Sequence, residues 1–263
     1  MKFPSLRFSW LKRRPAEVPG FSPNLRILIF AQPRTGSNAM TNVLNAHPSV
    51  NLMSEPFNSL REAWGPGCKN YCRQLSEGAS LDTVMEEIHQ RHNGFKTLCS
   101  QLSEAENKRL LTHYGYKVLF LHRKNQLKSA VSLQIANQTG IWKAGDKSDW
   151  KSDSCLRPLD VARIRQVVQD QMDEVRVYGE FLAAQRIEFL DLVYEEIFES
   201  SDAARKRKLR NIFDFLDLKA PSMKYLMEIT APSRKITSDD LYRAIPNLSD
   251  VAGLGNTEVG FLF

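Results

Sequence analysis

The stretch RILIFAQPRTGSNAM, residues 26–40, decides the fold. Its first six residues form a short, almost continuous apolar run, which is typical of a parallel strand that is buried on both faces. From Ser37 onward, Met40, Val43 and Leu44 recur at helical spacing, so a helix is predicted to begin there. The polar segment QPRTGS joins the two. The sequence therefore predicts a strand, a tight turn and a helix in immediate succession.

Strand and helix patterns alternate along the rest of the chain. Further strands are predicted at 50–54, 116–121 and 186–194, and helices at 81–92, 125–137, 159–185 and 202–217. This alternation predicts an α/β protein with a central parallel sheet and helices on both faces. In such sheets ligands bind beyond the carboxyl ends of the strands, and there the chain places Gln32–Ser37, Glu55, Arg123 and Tyr194–Glu195.

The composition is ordinary for a globular protein, with 42% hydrophobic and 25% charged residues among 263. We predict an N-terminal arm over 1–24, which mixes aromatic and basic residues without a long apolar core, and one domain over 25–263. No run of 18 apolar residues occurs, so the expected location is cytoplasmic with at most a peripheral membrane contact. The net charge of +6 favours a polyanionic ligand. Motifs typical of nucleic-acid binding are missing, so no nucleic-acid partner is predicted.

The four cysteines are expected to be reduced thiols, because no secretory signal is apparent. Cys68 and Cys72 precede His89 and His92 in a pattern that faintly resembles a zinc set. The spacings do not match the usual zinc signatures, so no metal site is predicted.

The turn after the first strand has the features of an anion site. A helix N-terminus directs backbone N–H groups and a positive dipole at one spot, while Thr35 and Ser37 add hydroxyls and Arg34 adds a guanidinium. The turn is not a Walker A loop, because Gly-Ser-Asn stands in place of Gly-Lys-Ser and the strand VLFL is not followed by an aspartate. A sulfuryl group carries less negative charge than a phosphoryl group, so arginine and backbone N–H groups could suffice for its transfer without this magnesium apparatus. The alternative is a simple helix start with Ser37 as its cap.

Three blocks of sequence together resemble the sulfotransferases that use 3′-phosphoadenosine 5′-phosphosulfate (PAPS), and most closely the bacterial carbohydrate enzymes of the trehalose and Nod-factor type. The blocks are FAQPRTGSNAMTNVLNAHPSVNLMSEPF at 30–57, LFLHRKNQLKSAVSLQIA at 119–136, and LVYEEI with IFDFLDL at 192–218. They stand in the family's order. The resemblance implies a P-loop-like three-layer sandwich, PAPS as the donor, 3′,5′-diphosphoadenosine (PAP) as the product, and no metal.

The resemblance also implies roles for individual residues. The 5′-phosphosulfate is assigned to the loop residues Arg34, Thr35, Gly36, Ser37 and Asn38, with Arg34 also assigned to catalysis, and the 3′-phosphate is assigned to Arg123 and Ser132. Arg123 and Ser132 are nine residues apart where much of the family shows eight, so Lys124 or Ser129 is a possible substitute. Ser132 alternatively faces solvent as an ordinary helix serine. Ser233–Lys235 match a late family loop by position alone.

Glu55 is the predicted general base, because an acid near this position has that role in the carbohydrate-type enzymes and a sugar hydroxyl needs help to lose its proton. The alternative is a surface glutamate. Lys96, in the strand-like stretch GFKTL, is expected to be a solvated lysine rather than a site residue. If Glu55 is not the base, His122 and then Glu195 are the next candidates.

The sequence thus predicts an enzyme that moves a sulfuryl group from PAPS to a hydroxyl of a carbohydrate or glycolipid. Trp64, Trp142 and Trp150 either stack on sugar rings or serve as packing. Homo-oligomerisation is possible. The competing hypotheses are a P-loop nucleotide kinase and a non-catalytic nucleotide-binding module.

Overall fold

The computed structural model describes residues 24–60, 68–142, 156–232 and 239–263. Within these ranges, five parallel strands form one sheet in the order β2-β3-β1-β4-β5. The strands are β1 Ile27–Ala31, β2 Leu52–Ser54, β3 Gly94–Leu98, β4 Lys117–His122 and β5 Phe189–Val193. Because β1 lies in the centre and has neighbours on both sides, all five of its residues are fully buried, as its apolar run predicts.

Helices cover both faces of the sheet. Those in the described ranges are α1 Ser37–Asn45, α2 Tyr71–Ser76, α3 Leu81–His89, α4 Glu104–His113, α5 Gln126–Thr139, α6 Val161–Ala184, α7 Tyr194–Phe198, α8 Asp202–Phe215, α9 Met223–Ile229, α10 Asp239–Arg243 and α11 Leu248–Ala252. The α/β prediction is confirmed. Among these helices, none is both long enough and apolar enough to cross a membrane.

The two faces of the sheet carry separate apolar clusters, because successive side chains of a strand point in opposite directions. Ile27, Ile29 and Ala31 of β1 pack with α1, α7 and α8, whereas Leu28 and Phe30 pack with α3, α4 and α6. A third cluster joins α5 and α6 to the C-terminal part of the chain. The sheet is therefore the middle layer of a three-layer sandwich, in agreement with the predicted fold class.

The structure differs from the sequence prediction chiefly at β3. Gly94–Leu98 was expected to be only strand-like, yet it lies between β1 and β2 and pairs with both. Its polar residues Lys96 and Thr97 interrupt the apolar pattern although both are fully buried. The other strands and the long helices begin and end within a few residues of their predicted bounds, and the tail after Pro221 contains short helices.

Candidate functional site

The loop between β1 and α1 has a left-handed backbone at two positions. Arg34 has φ 62° and Gly36 has φ 74°. Arg34 is one of four non-glycine residues with positive φ in the described chain, and a second is Glu55 with φ 44°. Such conformations cost free energy and cluster at functional sites. Both predicted catalytic residues thus occupy strained turns directly after strands.

The start of α1 is open to an anion. Gly36 is the N-cap, with no side-chain hydrogen bond at the cap, and Ser37 is the first helical residue. The alternative in which Ser37 caps the helix is therefore wrong. The N–H groups of the first turn have no carbonyl one turn earlier, so they can bind a ligand oxygen. Asn38, in the same turn, is exposed.

Side chains inside the loop mainly fix its shape. The Thr35 hydroxyl is fully buried and donates to the Gln32 carbonyl over 2.7 Å, and the Ser129 hydroxyl donates to the Pro33 carbonyl over 3.0 Å. A Cβ on Gly36 would lie 2.7 Å from the Phe198 ring, so this residue must be glycine for packing as well as for its positive φ. Ser129, considered as a phosphate ligand from sequence, instead ties α5 to the loop.

Arg34 extends from the loop towards α5. Its Nε donates to the Ser132 hydroxyl over 3.0 Å and its Nη1 to the Trp142 carbonyl over 3.3 Å. Burial lowers the pKa of Arg34, and the neighbouring charge of Arg123 lowers it further, against opposing effects of Tyr242 and Tyr194. Among the described residues, no carboxylate forms an ion pair with Arg34.

Arg123 follows β4 and is almost completely buried. Its Nε lies 3.3 Å from Glu195 Oε1, its Nη2 lies 3.6 Å from Glu199 Oε1, and its Nη1 donates to the Arg34 carbonyl over 3.4 Å. The guanidinium stacks 4.2 Å from the ring centre of Tyr194. The protein therefore holds this cation firmly at the carboxyl end of the sheet.

The structure brings the two predicted phosphate-binding groups together. Arg34 contacts both Ser132 and the Arg123 side chain, so the loop after β1 and the turn after β4 share one site. Ser132 is 4% exposed, which excludes the alternative of a solvent-facing helix serine. Lys124 points away to pair with Glu196 over 3.2 Å and is largely exposed.

Glu55 follows β2 and forms an ion pair with Lys96 of β3. Its Oε2 also accepts from Asn58 Nδ2 over 2.7 Å and from Gln101 Nε2 over 2.8 Å. Burial alone would raise the pKa of Glu55, but the Lys96 charge and these hydrogen bonds outweigh it and hold the pKa below the ordinary value. The carboxylate is 13% exposed and Lys96 is fully buried, so the expectation of a solvated lysine is wrong.

The strand register relates Glu55 to the loop. Ser54 of β2 aligns with Lys96 of β3, and Lys96 aligns with Ile29 of β1. Glu55 therefore lies at the carboxyl edge two strand spacings from β1, which is roughly 10 Å. The ammonium of Lys96 is carried by the strand between the two, on the same face as Ile29 and the apolar cluster beneath α1.

The alternative bases are engaged elsewhere. His122 Nε2 lies 2.8 Å from Asp191 Oδ1 of β5. Glu195 accepts from Arg123 and from two backbone N–H groups. Both residues lie on the β4–β5 side of β1, whereas Glu55 lies on the β2 side. Neither His122 nor Glu195 could therefore act as a base at the position of Glu55.

Several other sequence predictions lie elsewhere or outside the description. Ser233–Lys235, Trp64 and Trp150 fall outside the described residues, whereas Trp142 is 45% exposed beside Arg34. In the described ranges, no three His, Cys, Asp or Glu residues are grouped so that they could hold a metal ion. The residues that sequence reasoning underrated are Lys96 and Glu195. Glu195 carried a signal, because it directly follows a predicted strand.

Comparisons with known proteins identify the family of this chain. The family model described as Stf0 sulphotransferase matches residues 85–229, just over half of the chain. Nodulation protein H of Rhizobium tropici is 34% identical over 119 residues, which are 44% of this chain and 47% of that protein. The alignment thus spans about half the length of this curated relative.

Solved structures of similar shape include mouse sulfotransferase SULT7A1 complexed with PAP and sulfotransferase STF9 from Mycobacterium avium. The first has 13% identity, a TM-score of 0.47 and covers 91% of this chain and 78% of its own. The second has 12% identity, a TM-score of 0.42 and covers 82% and 68%. The family match includes Arg123, Ser132 and Lys96, whereas the loop after β1 and Glu55 precede it. By the extent of this match, the chain belongs to the Stf0 sulphotransferase family.

Proposed function

We propose that this protein transfers a sulfuryl group from PAPS to a hydroxyl of a carbohydrate or glycolipid acceptor. The observation that carries the proposal is the meeting of Arg34 and Arg123 at the carboxyl edge of the sheet. Two guanidiniums repel each other, and Arg34 forms no ion pair within the described chain. A polyanion placed between them relieves this repulsion, and family membership identifies the anion as a sulfuryl donor.

The donor is proposed to bind in two parts. The loop from Arg34 to Asn38 holds the 5′-phosphosulfate through the Arg34 guanidinium and the backbone N–H groups of Gly36, Ser37 and Asn38. The Thr35 hydroxyl contributes to the shape of the loop, because it donates to Gln32. Arg123 and Ser132 hold the 3′-phosphate.

Glu55 is proposed as the general base. Its low pKa keeps it ionised at neutral pH, so it is ready to accept the proton of the acceptor hydroxyl. The acceptor oxygen forms a bond to sulfur while the bond from sulfur to the bridging phosphate oxygen breaks. The negative charge that develops on this leaving oxygen is stabilised by Arg34 and by the N-terminus of α1.

The acceptor class rests on two features. The Trp142 ring lies next to Arg34 and is partly exposed, so it can stack on a sugar ring. The second is similarity: one relative is named nodulation protein H, and the resemblance of the sequence to bacterial carbohydrate sulfotransferases implies a carbohydrate acceptor.

A magnesium-dependent kinase is disfavoured by the loop. The residues after Gly36 are Ser37 and Asn38 rather than Lys and Ser, and β4 ends in His122 rather than an acidic residue. A non-catalytic nucleotide-binding module remains the alternative. An enzyme is favoured over this alternative by the family match.

The test is transfer of labelled sulfate from PAPS to trehalose and to chitooligosaccharides, with excess chelator present. We expect turnover without magnesium, and a Glu55→Gln variant with a catalytic rate lower by about a hundredfold or more. Calorimetry should show nearly unchanged affinity for PAP in that variant, because the base acts only on the acceptor.

The matched control is Glu77→Gln, which changes an exposed glutamate paired with Arg73 and should leave turnover unchanged. Loss of PAP binding in Glu55→Gln, under conditions where the variant is folded, would contradict the role of base. Tight PAP binding without transfer to any hydroxyl acceptor would support the non-catalytic module.

A further inference from the structure

Glu195, at the start of α7, accepts three hydrogen bonds, which a general base would not need. Its Oε1 accepts from Arg123 Nε over 3.3 Å and from the Asn125 N–H over 3.0 Å, and its Oε2 accepts from the Lys124 N–H over 3.0 Å. Three consecutive residues, 123–125, thus donate to one carboxylate. Glu195, which follows β5, thus connects the end of β5 to the turn between β4 and α5. Its carboxylate fixes both the side chain of Arg123 and the backbone that follows it.

The rest of the turn is fixed from the other side. Asn125 Oδ1 accepts from the Lys128 N–H over 2.8 Å, and Asn125 Nδ2 donates to the Phe261 carbonyl over 2.6 Å. The Leu127 N–H donates to the Val259 carbonyl over 3.0 Å. The first turn of α5 therefore has its N–H groups bonded within the protein, unlike the first turn of α1. At this end of the site an anion depends on side chains, above all on Arg123.

Glu195 also determines which edge of Arg123 is presented. Because Nε faces Glu195, the two Nη groups point away from it, towards the Arg34 carbonyl and Glu199. The Glu199 contact is the longer of the two carboxylate contacts, at 3.6 Å against 3.3 Å for Glu195, so a phosphate can displace Glu199 more easily than Glu195. Glu195 is itself held by two backbone N–H groups and stays in place.

We propose that Glu195 is a positioning residue that fixes Arg123 for the 3′-phosphate and thereby sets the preference for 3′-phosphorylated nucleotides. Glu199 acts oppositely, as a carboxylate that the 3′-phosphate displaces from Arg123. The inference rests on the proposed function, since it concerns the same donor site. It replaces the role of reserve base that the sequence left open for Glu195.

The experiment measures calorimetric affinities of PAP and adenosine 5′-monophosphate, which lacks the 3′-phosphate, for wild type and variants. Glu195→Gln replaces one acceptor oxygen by an NH2 group that faces N–H donors, so the turn must shift. We expect PAP to bind about tenfold more weakly, the order of effect of one charged hydrogen bond, and the monophosphate to bind as before.

Glu196→Gln is the matched control. Glu196 is the next residue and pairs with Lys124 and Lys208 at the surface, so both affinities should equal those of wild type. Glu199→Gln removes a carboxylate that repels the 3′-phosphate and should tighten PAP alone. The monophosphate affinity also reports whether each variant is folded, and thermal melting provides a second check.

The outcomes separate the two levels of the argument. A wild-type protein that binds PAP no better than the monophosphate overturns the proposed function and this inference with it. A wild-type preference that persists unchanged in Glu195→Gln overturns the inference alone. Equal weakening of both nucleotides would show a structural role, and tighter PAP binding would show that Glu195 mainly opposes the anion; each result overturns the positioning role.

Discussion

Replacing Glu55 by glutamine should destabilise the fold as well as remove the proposed base. The carboxylate forms an ion pair with Lys96. Lys96 is fully buried in β3, the strand between β2 and β1. Glutamine keeps the size of the side chain but removes its charge. The lysine ammonium then stays inside the protein without the carboxylate that faces it, and breaking a buried pair in this way costs about 3–5 kcal/mol.

A second estimate gives the same size. Lys96 can avoid a buried charge by losing its proton, and a lysine in water has a pKa of about 10.4, so this costs about 4.6 kcal/mol at pH 7 at about 1.36 kcal/mol per unit. The destabilisation of Glu55→Gln at pH 7 should therefore be about 3–4.6 kcal/mol. A domain whose free energy of unfolding lies above the lower end of the usual range of about 5–15 kcal/mol stays folded after this loss.

The second estimate, in which Lys96 loses its proton, predicts a distinctive pH dependence. If Lys96 is neutral in the folded variant, the unfolded chain binds more protons than the folded one below about pH 10.4, so the stability of the variant rises with pH. In wild type this lysine is charged in both states and contributes no slope. The difference in unfolding free energy between wild type and Glu55→Gln should therefore shrink by about 1.4 kcal/mol per pH unit from pH 7 to 9.

Urea unfolding of both proteins at pH 7, 8 and 9 measures this difference. The double variant Glu55→Gln/Lys96→Met is the control, because it removes both charges and should recover most of the stability with no pH slope. A difference below about 1 kcal/mol at pH 7, or one that stays constant with pH, would refute the reasoning. The same unfolding curves show at which pH Glu55→Gln is folded, so that its rate can be compared with that of wild type.

Three further predictions follow from single contacts. Gly36→Ala should lower the free energy of unfolding by about 2 kcal/mol or more, because residue 36 has φ 74° and the added Cβ would lie 2.7 Å from Phe198. Adding Phe198→Leu should recover the part of this loss that is due to the contact, which thermal melts can show. Burial and the charge of Arg26 lower the pKa of His89 to about 4, so the folded state resists protonation of His89 and the free energy of unfolding should fall as the pH falls from 6.5 to 4. The fall should be smaller in His89→Gln. Identical pH profiles of wild type and His89→Gln in urea unfolding would contradict this. Arg123→Ala should weaken PAP by about 2–3 kcal/mol in calorimetry and leave adenosine 5′-monophosphate nearly unaffected, whereas equal losses would remove Arg123 from the 3′-phosphate site.

Much of the fold follows from local sequence. The apolar run of β1 and the helical spacing after Ser37 predict the central strand and α1, and the alternation of patterns predicts the parallel sheet. The strand β3 was underrated because Lys96 and Thr97 are polar and buried. Their burial depends on partners far along the chain, since Glu55 is 41 residues before Lys96, and no local pattern reports such a pairing.

The predicted site residues are brought together unequally. Arg34 contacts both Ser132 and Arg123, as the rule for carboxyl ends of parallel strands leads one to expect. The acidic residue that pairs with each buried cation could not be predicted from the sequence. Glu195 follows β5, and only the adjacency of β4 and β5 in the sheet places its carboxylate against Arg123.

The distribution of these counter-charges distinguishes the roles of the cations. Lys96 and Arg123 are buried and have carboxylates opposite them, so the fold keeps them in place before any ligand binds. Among the described residues, Arg34 is held by a hydroxyl and a carbonyl, which fix its direction without cancelling its charge. The free energy available for binding an anion is therefore concentrated at Arg34, on the strained loop before α1, where the bond to the sulfuryl group is proposed to break. Arg123 binds the 3′-phosphate in exchange for Glu199, so its contribution to affinity is confined to nucleotides that carry this phosphate.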